Sequence, residues 1–474
     1  MASVRSANGR AAHRALALIA VLLAPATVRG ETTTSTAGIK PLGLSDLLRL
    51  AQRHNKQVGI DVAKIEEARA LYSFAKAQAF PKFSGRALLG GPTAEARSRI
   101  PNDLSTTTPA SFEGDFDFGK LGITFRFDAN GAQPLYTFGK IASARDAARA
   151  LVRASEEKVH ITEGEVLLNV QRAFWAHQMT RSFVKSLQEG EATLAKVVTK
   201  IEELLAEESP QVTENDRLRM LHARATVGVR LLEAENAANA TLAALSLLTG
   251  QPQNKPLVVS EADLDAVPQA PPPIEELLVQ ARAARPEIKA LTHLVHATER
   301  YLDFRANSLF PDLFIGAFIE SAITTNATDQ TNPFLNDRFN YFDAGVGLGL
   351  RWELDVFDKL ALLEDAKAKL TVKIAETAAA DEAIELEVRK LHLDVLSNHA
   401  KLVPAERAYR AARGWLTAAV LAYDIGTGEA AELIDAFLAA ATAEADLRKT
   451  QYDLLTGTAD LDRAVGHITR GAPE

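Results

Sequence analysis

The sequence predicts a mainly α-helical chain with a small β part, built as a duplicated helix-strand-strand-helix-helix unit. Three observations carry this reading. First, a shift of 219 positions maps Leu135, Phe138, Lys140, Asp146 and Ala147 onto Leu354, Phe357, Lys359, Asp365 and Ala366, and a shift of 230 maps Leu47, Leu48, Ala51, Phe74, Phe80 and Pro81 onto Leu277, Leu278, Ala281, Phe304, Phe310 and Pro311 without a gap. Second, the hydrophobic period changes from two to three or four at two stretches, Leu135–Ile141 and Leu354–Leu360. Third, each of those junctions opens a periodic, alanine-rich run of roughly 68 residues, about 100 Å of helix at ~1.5 Å per residue, which no compact domain accommodates.

The chain begins with a segment that reads as a secretory signal, residues 1–30. Arg5, Arg10 and Arg14 form a basic start, Ala15–Leu23 is apolar, and small residues follow. Cleavage after Ala26 or after Gly30 both fit. Residues 31–42 are rich in Thr and Ser and predict a flexible lead-in. The first repeat spans 31–251. Its opening helix carries the seam Leu44, Leu47, Ala51, Asn55, Val58, Val62, Ile65, Ala68 and Tyr72. In the second repeat, 274–466, Arg285-Pro286 falls opposite Asn55-Lys56, so a short helix ends there and another starts with proline in its first turn. Phe80-Pro81 and Phe310-Pro311 end these helices.

A strand follows each Phe-Pro pair. Phe83, Gly85, Ala87 and Leu89 alternate with Ser84, Arg86 and Leu88; Leu313, Ile315, Ala317 and Ile319 alternate with Phe314, Gly316, Phe318 and Glu320. Polar loops are predicted at about 90–120 and 322–341. In the return strands Leu121, Ile123, Phe125, Phe127 and Ala129 oppose Thr124, Arg126, Asp128 and Asn130, and Phe342, Ala344, Val346, Leu348, Leu350 and Trp352 oppose Asp343, Gly345, Gly347, Gly349, Arg351 and Glu353. Four two-sided strands among helices close nothing alone; they form a barrel only if several chains pool them.

The long helices are predicted from Gly139 to Ala206 and from Asp358 to Ile425, with coiled-coil spacing at Val166, Val170, Phe174, Leu187, Leu194, Val198, Ile201 and Leu205. Glu207–Pro210 and Gly426–Gly428 stop them, and return helices run about 212–249 and 429–466. A return helix and an early helix placed end to end match one long helix in length. A Pro-rich linker, 252–273, separates the repeats, and 467–474 is a tail.

Composition narrows the function classes. With 474 residues, a formal charge of -8 and no cysteine, the chain has no basic excess for nucleic acid, no disulfides and no thiolate metal site. Apart from the signal, no stretch is long and apolar enough for a membrane-spanning helix, so integral membrane contact requires a barrel. No catalytic triad, phosphate loop or dinucleotide fingerprint has a credible context, and no cofactor is expected. His293, His296 and Glu299 have metal-like spacing on a helix but no supporting ligand.

The order, duplication and spacing of Leu44–Pro81, Ile274–Pro311, the junctions Gln133–Lys140 and Trp352–Lys359, and the stretch Tyr423–Gly428 resemble the TolC-like outer-membrane efflux protein family over nearly all of the chain beyond the signal. The resemblance implies a homotrimer in outer-membrane lipid, each chain giving four strands to a twelve-stranded barrel continued by an α-helical barrel across the periplasm. It also implies work with a periplasmic adaptor (membrane fusion protein) and an inner-membrane transporter in efflux or type I secretion. Carried over by position, Tyr423 matches the tip tyrosine, Glu432 and Asp435 match acidic ring positions at the periplasmic entrance, and Thr213 and Asp216 occupy the comparable first-half turn. Gly428 departs from members with a basic residue there. Phe80, Pro81, Phe138, Phe310, Pro311 and Phe357 mark the strand-helix junctions. Arg126, Asp128, Asp343, Arg351 and Glu353 form the expected lumen-facing set.

A soluble periplasmic coiled-coil adaptor and an enzyme on a helical scaffold are the competing classes. An adaptor would show one helical hairpin flanked by other domains, and an enzyme a pocket of convergent titratable groups. Glu432 and Asp435 also fit a solvated helix start, where the helix dipole favours acids.

Overall fold

A computed structural model describes residues 41–97, 115–208, 212–252, 254–261, 264, 268–325, 337, 339–425 and 427–467. The signal, the Thr- and Ser-rich lead-in, both strand-connecting loop centres, Pro210, Gly426 and residues 468–474 lie outside them. The chain from Leu42 onward forms one unit. Its elements run α1 (Leu44–His54), α2 (Lys56–Ala77), β1 (Lys82–Arg97), β2 (Asp115–Tyr136), α3 (Lys140–Ala206) and α4 (Glu214–Leu248), then α5 (Ile274–Ala284), α6 (Pro286–Asn307), β3 (Asp312–Thr324), β4 (Tyr341–Arg351), α7 (Val356–Asp424) and α8 (Ala430–Ala464). The duplicated order is the expected one.

The strands form one antiparallel sheet in the order β1-β2-β3-β4, which leaves β1 and β4 as its edges. Lys82 stands opposite Ala132 in the first hairpin and Asp312 opposite Arg351 in the second. Shifting the first pair by 230 and 219 returns the second, so both hairpins keep one register. The strands outrun the predicted polar loops: β1 continues to Arg97, β2 starts at Asp115 and β3 reaches Thr324. Polarity does not end a ladder whose one face is wet, because backbone pairing continues whatever that face carries. Register shifts between Gly90 and Thr93, and between Ala94 and Glu95, absorb the irregular part of β1.

α3 spans 67 residues and packs α2 and α4 along its length, with α6 beside it; α7, with 69, does the same for α6 and α8. The end-to-end join between return and early helix is explicit in the first repeat. Asn55 accepts from the backbone N–H groups of Gln57 (2.8 Å) and Val58 (3.3 Å), capping α2, while its Nδ2 donates to the Leu248 carbonyl (2.8 Å) at the end of α4. One amide thus satisfies orphan groups of two helices. In the second repeat the buried Arg285 takes this place, held by Glu387 (2.7 Å) and Glu287 (3.4 Å), which also receive Arg463.

The break at Asn55, with ψ 127, corrects the predicted seam. α2 starts a new helical phase there, so Asp61 is buried and Val62 is 47% exposed. The Asp61 carboxylate accepts from Thr162 Oγ1 (2.6 Å) on α3 and from Lys64 (2.8 Å). Burial opposes its ionisation, but those two donors outweigh the penalty and hold its pKa below the usual value. The linker is more than a spacer. Leu42 N–H donates to the Val258 carbonyl (2.9 Å), Ser260 N–H returns to Leu42 (3.0 Å), and Leu257 and Val259 pack on the core of α1, α3 and α4.

Candidate functional site: the two-faced sheet, its junctions and the helical tips

The alternation of β1–β4 separates the sheet into two chemically distinct faces. On one, the register brings Leu89 beside Phe125, Phe125 beside Ile323, Ile315 beside Leu348, and Leu313 beside Leu350, all exposed. The other face carries a rung the sequence did not align: Arg86 opposite Asp128, Asp128 opposite Glu320, and Glu320 opposite Asp343. Arg86 grips Asp128 through Nε (3.1 Å) and Nη2 (2.9 Å). Glu320 and Asp343 face each other with no ion pair among the described residues. Strand parity had placed Arg86 and Glu320 on this face, but only register puts them in one row.

Arg126 lies one step along the same face, opposite Leu88 and Ala322. Arg351 lies over the Phe314 ring, 5.2 Å from its centroid. The rings of Phe318 and Phe314 themselves cover Gly345 and Gly349, so a Cβ at either glycine would collide with them. Glu353 lies beyond the end of β4, 3.7 Å from Lys359, and so belongs to the junction instead of the strand row.

At the junctions, residues of opposite repeats meet. Phe138 adopts φ 50, unusual for a bulky side chain, and stacks on Phe310 with centroids 5.2 Å apart and planes at 15°. Tyr136 meets Phe138 edge-on at 4.8 Å. Pro81 and Pro311 each sit between a helix end and the following strand. Gln133 Nε2 donates to the Ala79 carbonyl (2.9 Å), tying the base of β2 to the end of α2, and Trp352 Nε1 does the same to Leu309 (3.1 Å) for β4 and α6. Phe80 and Phe357 are exposed and stack on no ring among the described residues.

At the far end, two helical hairpins share a core of Leu194, Val198, Ile201, Met220, Tyr423 and Leu433. Tyr423 is a core residue: its ring is buried and its hydroxyl has no hydrogen-bond partner among the described residues. Burial, and secondarily the charge of Asp216, push its pKa up. Thr213 and Asp216 form a capping box, with Asp216 Oδ2 accepting from Thr213 N–H (2.9 Å) and Oγ1 (2.7 Å), and Thr213 Oγ1 from Asp216 N–H (3.3 Å). They start α4. A Cβ on Gly428 would lie 2.7 Å from the Tyr423 nitrogen, so the α7–α8 turn closes only around glycine. Glu432 and Asp435 are exposed on α8, each one step before a buried residue, Leu433 and Ala436. Among the described residues no cluster of three His, Cys, Asp or Glu could hold a metal, and no helix is long and apolar enough to cross a membrane.

The outer membrane efflux protein family model matches residues 277–467. Over 443 residues the chain is 24% identical to the solvent efflux pump outer membrane protein SrpC of Pseudomonas putida, covering 90% of this chain and 86% of SrpC. This chain has the TolC-like outer-membrane channel fold, and its second half matches the outer membrane efflux protein family. Its fold matches that of the outer-membrane channel OprN (TM-score 0.71, 19% identity, 89% of each chain covered) and of the outer membrane protein VceC of Vibrio cholerae (TM-score 0.69, 16% identity, 89% and 96% covered). The family consists of channel components of transport systems.

Proposed function

We propose that the protein is the outer-membrane duct of an efflux assembly, in which three copies pool their strands into one barrel and their helices into a periplasmic tube. The carrying observation is the sheet itself: four strands with an apolar face, a polar face and two unpaired edges, continuous with helices of 67 and 69 residues. Open edges are not tolerated in lipid, and further copies of the same chain remove them. The apolar face then meets outer-membrane lipid, and the Arg86–Asp128–Glu320–Asp343 rung, with Arg126 and Arg351, lines the water-filled bore. The tips of the two hairpins form the periplasmic mouth, with Glu432 and Asp435 facing it. A periplasmic adaptor and an inner-membrane transporter deliver cargo there, in keeping with the efflux pump to which SrpC's name assigns that relative.

Fractionation and cross-linking test this reading. The protein should sediment with the outer membrane after carbonate washing, and an amine-reactive cross-linker in detergent should give a ladder ending at three chains. Recovery as a soluble periplasmic protein would restore the adaptor alternative, and a ladder ending at two would exclude the closed barrel.

A further inference from the structure

The register inside the chain also specifies the register between chains, and we propose it residue by residue; this rests on the trimeric duct above. The two repeat offsets hold in three dimensions. Gly90↔Thr124 in the first hairpin becomes Glu320↔Asp343 in the second, and the bond from Gln133 to Ala79 recurs as that from Trp352 to Leu309. Applied to the internal β2–β3 seam, the same offsets generate the seam that a closed ring still needs, β4 against β1 of the next copy. Ala129↔Ile319 then becomes Leu348 opposite Leu89 of the next copy, and Gly131↔Ala317 becomes Leu350 opposite Ala87. Each of these pairs keeps both members on the apolar face, as parity requires.

The junction aromatics follow the same rule. The Phe138–Phe310 stack maps onto Phe357 against Phe80 of the next copy. These are the two junction rings the single chain leaves most open, at 88% and 63% exposure against 38% and 49% for Phe138 and Phe310. On the polar face, Ala132↔Gly316 maps onto Arg351 opposite Arg86 of the next copy. These like charges are tolerable because each is turned to its own chain, Arg86 to Asp128 and Arg351 over Phe314.

Cysteine pairing reads this register directly, since the chain has no cysteine of its own. Directly opposite residues lie within disulfide reach, whereas a partner two positions off lies about 7–8 Å away. Oxidising the full-length Leu348→Cys/Leu89→Cys protein in detergent should shift the denatured band from one chain to three. Leu348→Cys/Ala87→Cys should stay at one, and Ala129→Cys/Ile319→Cys, the equivalent pair inside the chain, should close internally. If the internal pair closes while the Leu348/Leu89 pair does not, or the Leu348/Ala87 pair bridges instead, the proposed register is overturned. The amine cross-linker on the unsubstituted protein separates the two levels: a trimer there leaves the duct standing with a different seam, and no trimer removes the reading beneath it. Loss of denaturant-resistant trimer on Phe357→Ala, matched by Phe80→Ala and not worsened by combining them, is expected of a stacked pair; additive losses would contradict the stack.

Discussion

Single side chains do the joining in this molecule. Asn55 bridges α4 and α2 by using its oxygen for one helix start and its nitrogen for another helix end. Replacing it with Ala should cost about 0.5–2 kcal/mol, the range for a lost N-cap, read as a lower urea midpoint of the helical region. Asn55→Asp, which keeps the acceptor but sets a carboxylate against the Leu248 carbonyl, should recover only part of that loss. His177 offers a pH test outside the strands. It is buried on α3 beside Thr241 (3.0 Å), and burial, with a smaller contribution from Arg181, lowers its pKa below the usual value of 6.5. The unfolded chain therefore takes up a proton that the folded chain refuses. Its contribution to stability is complete above about pH 6.5 and declines as pH falls below that value. A His177→Gln protein should show a shallower loss of stability between pH 6.5 and 5; an unchanged slope would place the pH dependence elsewhere.

At the scale of an element, β4 carries the sharpest contrast. Leu348 is 74% exposed on the apolar face, and its neighbour Gly347 lies on the polar face with open space where a Cβ would go. Arg at Leu348 should cost about 2–4 kcal/mol if that position is near the middle of the lipid layer. Arg at Gly347 should leave assembly intact and alter single-channel conductance. Equal assembly defects in the two proteins, measured as the trimer fraction in membranes, would mean that the faces are assigned wrongly. Glycines elsewhere in this strand are less permissive, because Phe318 and Phe314 already occupy the space above Gly345 and Gly349.

For the whole molecule, the proposed mouth of three sets of tips is where charge matters most. Glu432 and Asp435 are three apart on one exposed face, so a trimer that gathers its tips carries two rings of three carboxylates. Changing them to Gln and Asn should lower cation preference and weaken block by divalent ions in planar bilayers without harming assembly. Unchanged selectivity and block would mean that these acids face away from the axis. The turn beside them offers no countercharge, since Gly428 is packed against Tyr423 and Ala422 and leaves no room for a basic side chain. Removing the acids should therefore relieve repulsion, and the resting pore should not open wider.

The one-dimensional features of this protein were legible in its sequence. The duplication, the offsets of 219 and 230, the helix lengths and the parity of every strand depend only on spacing along the chain, and spacing is conveyed by hydrophobic period. The stacked partners Phe138 and Phe310 were both picked out as junction residues, though not as a pair. What the tertiary structure alone decided is which distant residues meet. Arg86 finds Asp128 42 positions away, Asp61 finds Thr162 101 away, and Asn55 finds Leu248 193 away. The burial of Asp61 in place of Val62 follows from a helix phase reset at Asn55, and that of Tyr423 from the packing of one hairpin on the other. Period places a residue on a face; register and packing against another element determine what that face meets.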